Sequence, residues 1–155
     1  MRDDVLATLN ELIEACRDGE AGFRSCAEDI RDGQLKQPFL RLAYGCNDAA
    51  QELSVLLVSR GGNPERGHSV SGSLYRHWID IKSSLMGKDD DVIMKECERG
   101  EELALKSYRR ALERDLPLDV RAVVERQYQG VIQQHELMKS CLLYTSPSPR
   151  DATLS

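Results

Sequence analysis

Apolar residues recur at alternating steps of three and four through the first thirty positions of this chain, with one exception, and the exception returns later. Positions 6, 9, 13, 16, 20, 23, 27 and 30 read Leu, Leu, Ile, Cys, Glu, Phe, Ala and Ile. An α-helix brings side chains back to one face at this spacing, so the stretch reads as a long helix with one buried stripe. Positions 94, 97, 101, 104, 108 and 111 read Met, Cys, Glu, Ala, Tyr and Ala, the same kind of stripe. The pentads Cys16-Arg-Asp-Gly19-Glu20 and Cys97-Glu-Arg-Gly100-Glu101 stand 81 residues apart at matched places in the two stripes. Such helices have to bury their stripes against other helices, and each stripe carries a glutamate, Glu20 or Glu101. A carboxylate taken out of water needs a cation, a hydrogen-bond partner or a proton.

Punctuation along the chain predicts the remaining elements. The first helix starts after Asp3 or Asp4, either of which can cap it, and runs to about Arg31, where Asp32-Gly33 supplies a stop. A second begins around Pro38, continues through Phe39, Leu42, Cys46, Ala49, Leu53 and Leu56, and ends at Gly61-Gly62-Asn63-Pro64. A polar connection follows to about residue 69, and then an amphipathic segment, Ser71 to Met86, with Leu74, Trp78, Ile81 and Leu85 on one face. The repeat helix runs from about Asp89 to about Asp115, with Asp89, Asp90 and Asp91 at its positive end. Pro117 opens the last helix, whose seam holds Val120, Val124, Tyr128, Val131, His135 and Met138. Two hairpins with short loops, joined by a long crossover, predict an all-α four-helix bundle of the ferritin-like kind, with an extra short helix in the crossover.

Composition narrows the class. The chain has 155 residues, 41% hydrophobic and 30% charged, which suits one domain with a real core, and 5% aromatic content disfavours a sheet protein. A net charge of −5 argues against a nucleic-acid partner or an anionic membrane surface. No run approaches the ~18 apolar residues of a membrane span, and there is no charged-then-apolar leader, so a cytoplasmic location is expected. Five cysteines without CxxC spacing, mostly at core positions, read as reduced thiols. From about Cys141 the character changes, and Ser146-Pro147-Ser148-Pro149 cannot continue a helix. That end resembles translated sequencing-adaptor read-through standing in place of a native terminus. The expected division is therefore a bundle domain over residues 3–140 and a non-native tail over 141–155.

The strings Leu9-Asn-Glu-Leu-Ile-Glu-Ala-Cys-Arg-Asp-Gly-Glu-Ala-Gly-Phe, Gly61-Gly-Asn-Pro, His77-Trp-Ile-Asp-Ile-Lys and Glu96-Cys-Glu-Arg-Gly-Glu carry a resemblance to a bacterial family of uncharacterised ferritin-like proteins. It covers residues 3 to about 140 and implies a four-helix bundle distantly similar to rubrerythrin. The family has no settled activity, so the resemblance informs fold more than function.

Carboxylate di-iron bundles place one Glu on each of two helices and a Glu-x-x-His on each of the other two. Glu20 and Glu101 match the single glutamates. His135 stands where a terminal histidine is expected, but Ile132 occupies the position three residues before it, and the second helix offers Glu52 and no histidine. The set is degenerate. Glu20, Glu52, Glu101 and His135 remain candidate ligands for a single Fe, Mn or Zn ion with water completing the shell. The alternative is a polar core in which these carboxylates are protonated or bonded to Tyr44, Tyr108, Tyr128, Gln127 or His135. Cys16 and Cys97, one turn before the glutamates, are packed hydrophobes or, alternatively, soft ligands or a redox pair. His68 and His77 read as surface or packing residues. Trp78 covers the bundle's open side or, left exposed, drives formation of a homo-oligomer. There is no Gly-x-Ser-x-Gly elbow, Walker A loop, GxGxxG or His-Glu-x-x-His motif. Two functions stay open: a stress-associated structural or interaction bundle without catalysis, and a metal-binding protein or weak oxidoreductase using Glu20, Glu101 and His135.

Overall fold

The computed structural model describes residues 2–64 and 89–145, which form four helices: α1 (Arg2–Asp29), α2 (Gly33–Ser59), α3 (Asp90–Leu112) and α4 (Leu118–Thr145). No strand occurs among the described residues. Helix α1 packs on α2 and α3, and α4 packs on α3 and α2, leaving α1 with α4 and α2 with α3 as diagonals. Cross-helix bonds fix the directions. Asp90, at the start of α3, reaches the far end of α1, whereas Arg114, just beyond α3, reaches Thr8 near the start of α1. Arg60 pairs with Asp119, and Glu52 with Arg126, so α2 and α4 also run antiparallel. Consequently α2 ends at one end of the bundle and α3 begins at the other. That is the long-crossover topology of ferritin-like folds. The short helix expected over residues 71–86, with His68, His77 and Trp78, lies outside the described residues.

Several helix ends differ from expectation, each for a local reason. Asp3 and Asp4 do not cap α1 but lie within it, since α1 begins at Arg2. Asp32-Gly33, expected to stop the first helix, instead starts the second: the Asp32 carboxylate accepts the Gln34 N–H at 2.9 Å, satisfying one of the free donors of a helix N-terminus. Pro38 is consequently inside α2 rather than at its first turn. Asp90 does not cap its own helix. Its carboxylate accepts the backbone N–H groups of Arg31 (2.8 Å) and Asp32 (3.0 Å), locking the α1–α2 turn onto the start of α3. Helix α2 stops as expected, with Gly61 at φ 84°, a left-handed conformation that glycine adopts without a Cβ clash. At the other hairpin Arg121 donates to the carbonyls of Leu112 (3.1 Å) and Arg114 (2.6 Å), supplying partners at the end of α3. Helix α4 carries on to Thr145, directly before Ser146-Pro147.

Two apolar clusters fill the bundle. One holds Phe23, Ile30, Phe39, Leu42, Ile93 and Met94; the other holds Leu9, Ile13, Leu53, Leu57, Val120 and Val124. Full burial of such side chains is worth roughly 1.5–3 kcal/mol each. Gly19 lets α1 approach α2 closely, since a Cβ there would meet the Cys46 sulfur at 3.1 Å. The expectation of uniformly reduced thiols is corrected at one place: Cys26 and Cys97, which the antiparallel packing of α1 and α3 brings together, form a disulfide between the two helices. Cys16 and Cys46 are free. No helix among the described residues is long and apolar enough to cross a membrane.

Candidate functional site

Polar side chains gather at mid-height, between the two apolar clusters. The α3–α4 hairpin sets Tyr108 opposite Gln127, and one antiparallel step further it sets Glu101 opposite His135. Tyr108 donates its hydroxyl proton to Gln127 Oε1 at 2.8 Å, so in its 3.3 Å contact with Cys16 the thiol is the donor. Gln127 Nε2 donates to Glu52 Oε1 at 2.7 Å and to the Ala49 carbonyl at 3.3 Å, and Arg126 holds the other Glu52 oxygen. This chain of donors and acceptors, Cys16 to Tyr108 to Gln127 to Glu52, ties all four helices and leaves each member bonded. Burial pushes the Cys16 thiol up to about 11, against a smaller opposing effect of the Tyr108 bond, and desolvation raises Tyr108 well above the ordinary phenol value.

Glu101 and His135 are different. Their side chains are 2% and 9% exposed, with His135 Nδ1 3.5 Å from Glu101 Oε1, a distance too long for a hydrogen bond of ordinary strength. Both Glu101 oxygens and His135 Nδ1 are sealed from solvent without a hydrogen-bond partner. Burial pushes the Glu101 carboxyl up to about 8, and the neighbouring charges of Glu98 and Glu102 add to the rise. A buried donor or acceptor left unpaired costs about 1–3 kcal/mol, so this pair asks for something more. On its outer side His135 meets two further carboxylates: ligand atoms of Glu98, Glu102 and His135 lie within 4.8 Å of one another.

The four residues expected from sequence are therefore not one cluster. Glu101 and His135 come together. Glu52 joins the mid-height network through Gln127 and Arg126, and Glu20, its side chain 26% exposed, is held by Arg24 one turn along α1 at 3.2 Å. A di-iron set does not fit this arrangement, since one of its four carboxylates is turned to Arg24, α2 has no histidine and Ile132 breaks the motif on α4. Sequence reasoning passed over Glu98 and Glu102. Their signal was the run Glu98-x-x-Glu101-Glu102, whose i, i+3, i+4 spacing sets three carboxylates along one side of α3. Arg24, four residues after Glu20, was legible in the same way.

The fold is similar to the crystal structure of a two-domain protein from Anabaena variabilis containing DJ-1/ThiJ/PfpI-like and ferritin-like domains. The TM-score is 0.79 at 15% identity, over 96% of this chain and 41% of that one, a likeness that shows the fold alone. The chain thus spans about two-fifths of the length of that protein. Among curated proteins none matches. Residues 4–114 match the family model described as a domain of unknown function, DUF2383, which is most of the chain, and the protein belongs to that family.

Proposed function

We propose that this bundle binds a single divalent first-row cation on the α3–α4 face, with His135, Glu98 and Glu102 as ligands. The carrying observation is a buried imidazole, unpartnered at Nδ1, whose ring meets two carboxylates at one place. With Nδ1 turned to Glu101, Nε2 is the nitrogen left for a metal. A carboxylate behind a metal-bound histidine fixes the tautomer and the ring orientation, and Glu101 stands in that position. One imidazole and two carboxylates, with water completing the shell, suit Zn²⁺, Mn²⁺ or Fe²⁺, and two carboxylates balance the divalent charge. The ligand atoms of a tetrahedral shell are about 3.4 Å apart at Zn–ligand bonds near 2.1 Å, so rotations of the two surface glutamates suffice to close the set. The unit proposed to do this is the bundle of residues 3–140, with Glu20 and Glu52 outside the ligand set.

One observation favours a second reading. A Glu101 carboxyl raised to about 8 is largely protonated at neutral pH and can turn its O–H toward His135, giving a metal-free polar core. The chain is then a structural or interaction bundle, for which a stress role and a cytoplasmic site are the expectations. Calorimetric titration of Zn²⁺, Mn²⁺ and anaerobic Fe²⁺ into the chelator-treated chain separates the two. We expect one ion per chain, lost in His135→Ala and in the Glu98→Ala, Glu102→Ala double variant, and kept in Glu20→Ala and Glu52→Ala. Absence of binding by all three ions leaves the metal-free bundle.

A further inference from the structure

Among the described residues, the bundle does not close between α2 and α4. A slot of about 800 Å³ runs in from that side to the mid-height network, a size typical of small-molecule sites. Its walls are small residues from all four helices, among them Gly19, Gly45, Ala49, Ala104 and Gly130. A Cβ added at Gly45 or Gly130 would meet nothing within 4 Å. Protein interiors are otherwise packed to crystal density, so an opening of this size in the side of a bundle stands out from its surroundings.

The polar groups on the walls say what would fill it. Tyr108, Gln127, Glu52 and Arg126 are occupied with one another. Glu101 lines the slot, is almost wholly buried, and has no partner at either oxygen; Oε1 faces His135, and a turn of the sealed carboxylate toward the slot gives an occupant the other oxygen. Among the described residues the carboxyl groups of the lining are those of Asp48, Glu52 and Glu101, against the guanidinium of Arg126, which Glu52 already holds. That balance repels an anionic head and favours a cationic one. Phe23, Leu42 and Val131 supply apolar wall for a tail.

We infer that the α2–α4 slot binds an amphipathic amine, its apolar body among Phe23, Leu42 and Val131 and its ammonium head on Glu101. The head supplies the hydrogen bonds that Glu101 lacks, and a charge-assisted bond to a carboxylate is about twice as strong as a neutral one. The site does not depend on a cation at His135, because the ligand uses the other Glu101 oxygen.

Dansylcadaverine, a primary amine whose fluorescence rises in apolar surroundings, tests this on the full chain. Saturable binding is expected, weakened at least tenfold by Glu101→Gln, with the neutral dansyl pentylamide weaker and unaffected by that change. Gly130→Leu should abolish binding of both, and it has room to fold, since leucine favours a helix and no atom lies where its Cβ goes. No saturable binding would overturn the proposal, as would equal affinity for the amine, the neutral amide and the anionic dansyl-aminohexanoate. So would a Glu101→Gln variant, shown folded by circular dichroism, that binds the amine as wild type does. Glu101→Gln keeps an acceptor behind His135 Nδ1 and should still titrate with Zn²⁺, so the amine site and the cation site can fail separately.

Discussion

The two pentads that open the sequence argument end in opposite circumstances. Glu20 has Arg24 one turn later on α1, finds its counter-charge on its own helix and keeps a quarter of its side chain in solvent. Glu101 has Leu105 at the equivalent place and carboxylates at 98 and 102, so α3 offers it repulsion, and it is buried against α4. The cysteines diverge as well: Cys16 stays a thiol hydrogen-bonded to Tyr108, while Cys97 is joined to Cys26. A repeat in sequence fixes a helix and a register. The residues one turn away decide whether the repeated carboxylate is a surface ion pair or an unpaired buried group.

The largest difference between the halves should appear in pH dependence. In metal-free protein the Glu101 carboxyl sits near 8 when folded and near the ordinary 4.5 when unfolded. The unfolded chain releases this proton first as pH rises, so the stabilising contribution is complete below about 4.5 and is lost as pH climbs to about 8. The groups facing Glu101 are Glu98 and Glu102 on α3, His135 on α4 and Cys46 on α2. Urea unfolding of the chelated chain should therefore show stability falling at up to roughly 1.4 kcal/mol per pH unit in that window. Glu101→Gln should flatten the slope, and Glu20→Gln should leave it as it was; equal effects of the two substitutions would erase the comparison.

A smaller contrast is expected between the cysteines. Cys97→Ala removes a link across 71 residues of chain, and under oxidising conditions it should cost about 2–4 kcal/mol in unfolding free energy. Cys16→Ala removes one hydrogen bond, worth about 1 kcal/mol. A reductant should bring the two variants closer to each other. The smallest effect belongs to Arg24→Ala. The pair it breaks is partly exposed, so the loss should be under about 1 kcal/mol and should shrink further in high salt. A loss of several kcal/mol would mean that Glu20 is as buried as the repeat suggests.

Much of the architecture was legible because it follows from periodicity and punctuation. Leu9, Ile13, Phe23, Leu53, Met94, Val120 and Val124 are buried where the three-and-four spacing puts them, and Gly61 ends α2. The turn at Asp32 was misread, since Asp-Gly serves as a helix stop or as a cap, and only the bond to Gln34 distinguishes them. At the site, His135 and Glu101 lie in their seams as the stripes require. Their pairing with Glu98 and Glu102, and the Cys26 to Cys97 bond, depend on how α3 is rotated against α4 and α1. Stripe positions alone do not fix that rotation, because neighbouring residues at the stripe's edge differ by only a fraction of a turn.

The central claim is that His135 is a ligand through Nε2 while Glu101 holds Nδ1. The most direct measurement is a long-range proton–nitrogen correlation spectrum of the histidine side chains, before and after one equivalent of Zn²⁺, with His135→Ala for assignment. The account predicts that the His135 ring moves to a state with Nδ1 protonated and Nε2 shifted by metal. An unchanged His135 ring at full Zn²⁺ occupancy, or a metal shift at Nδ1, would contradict it.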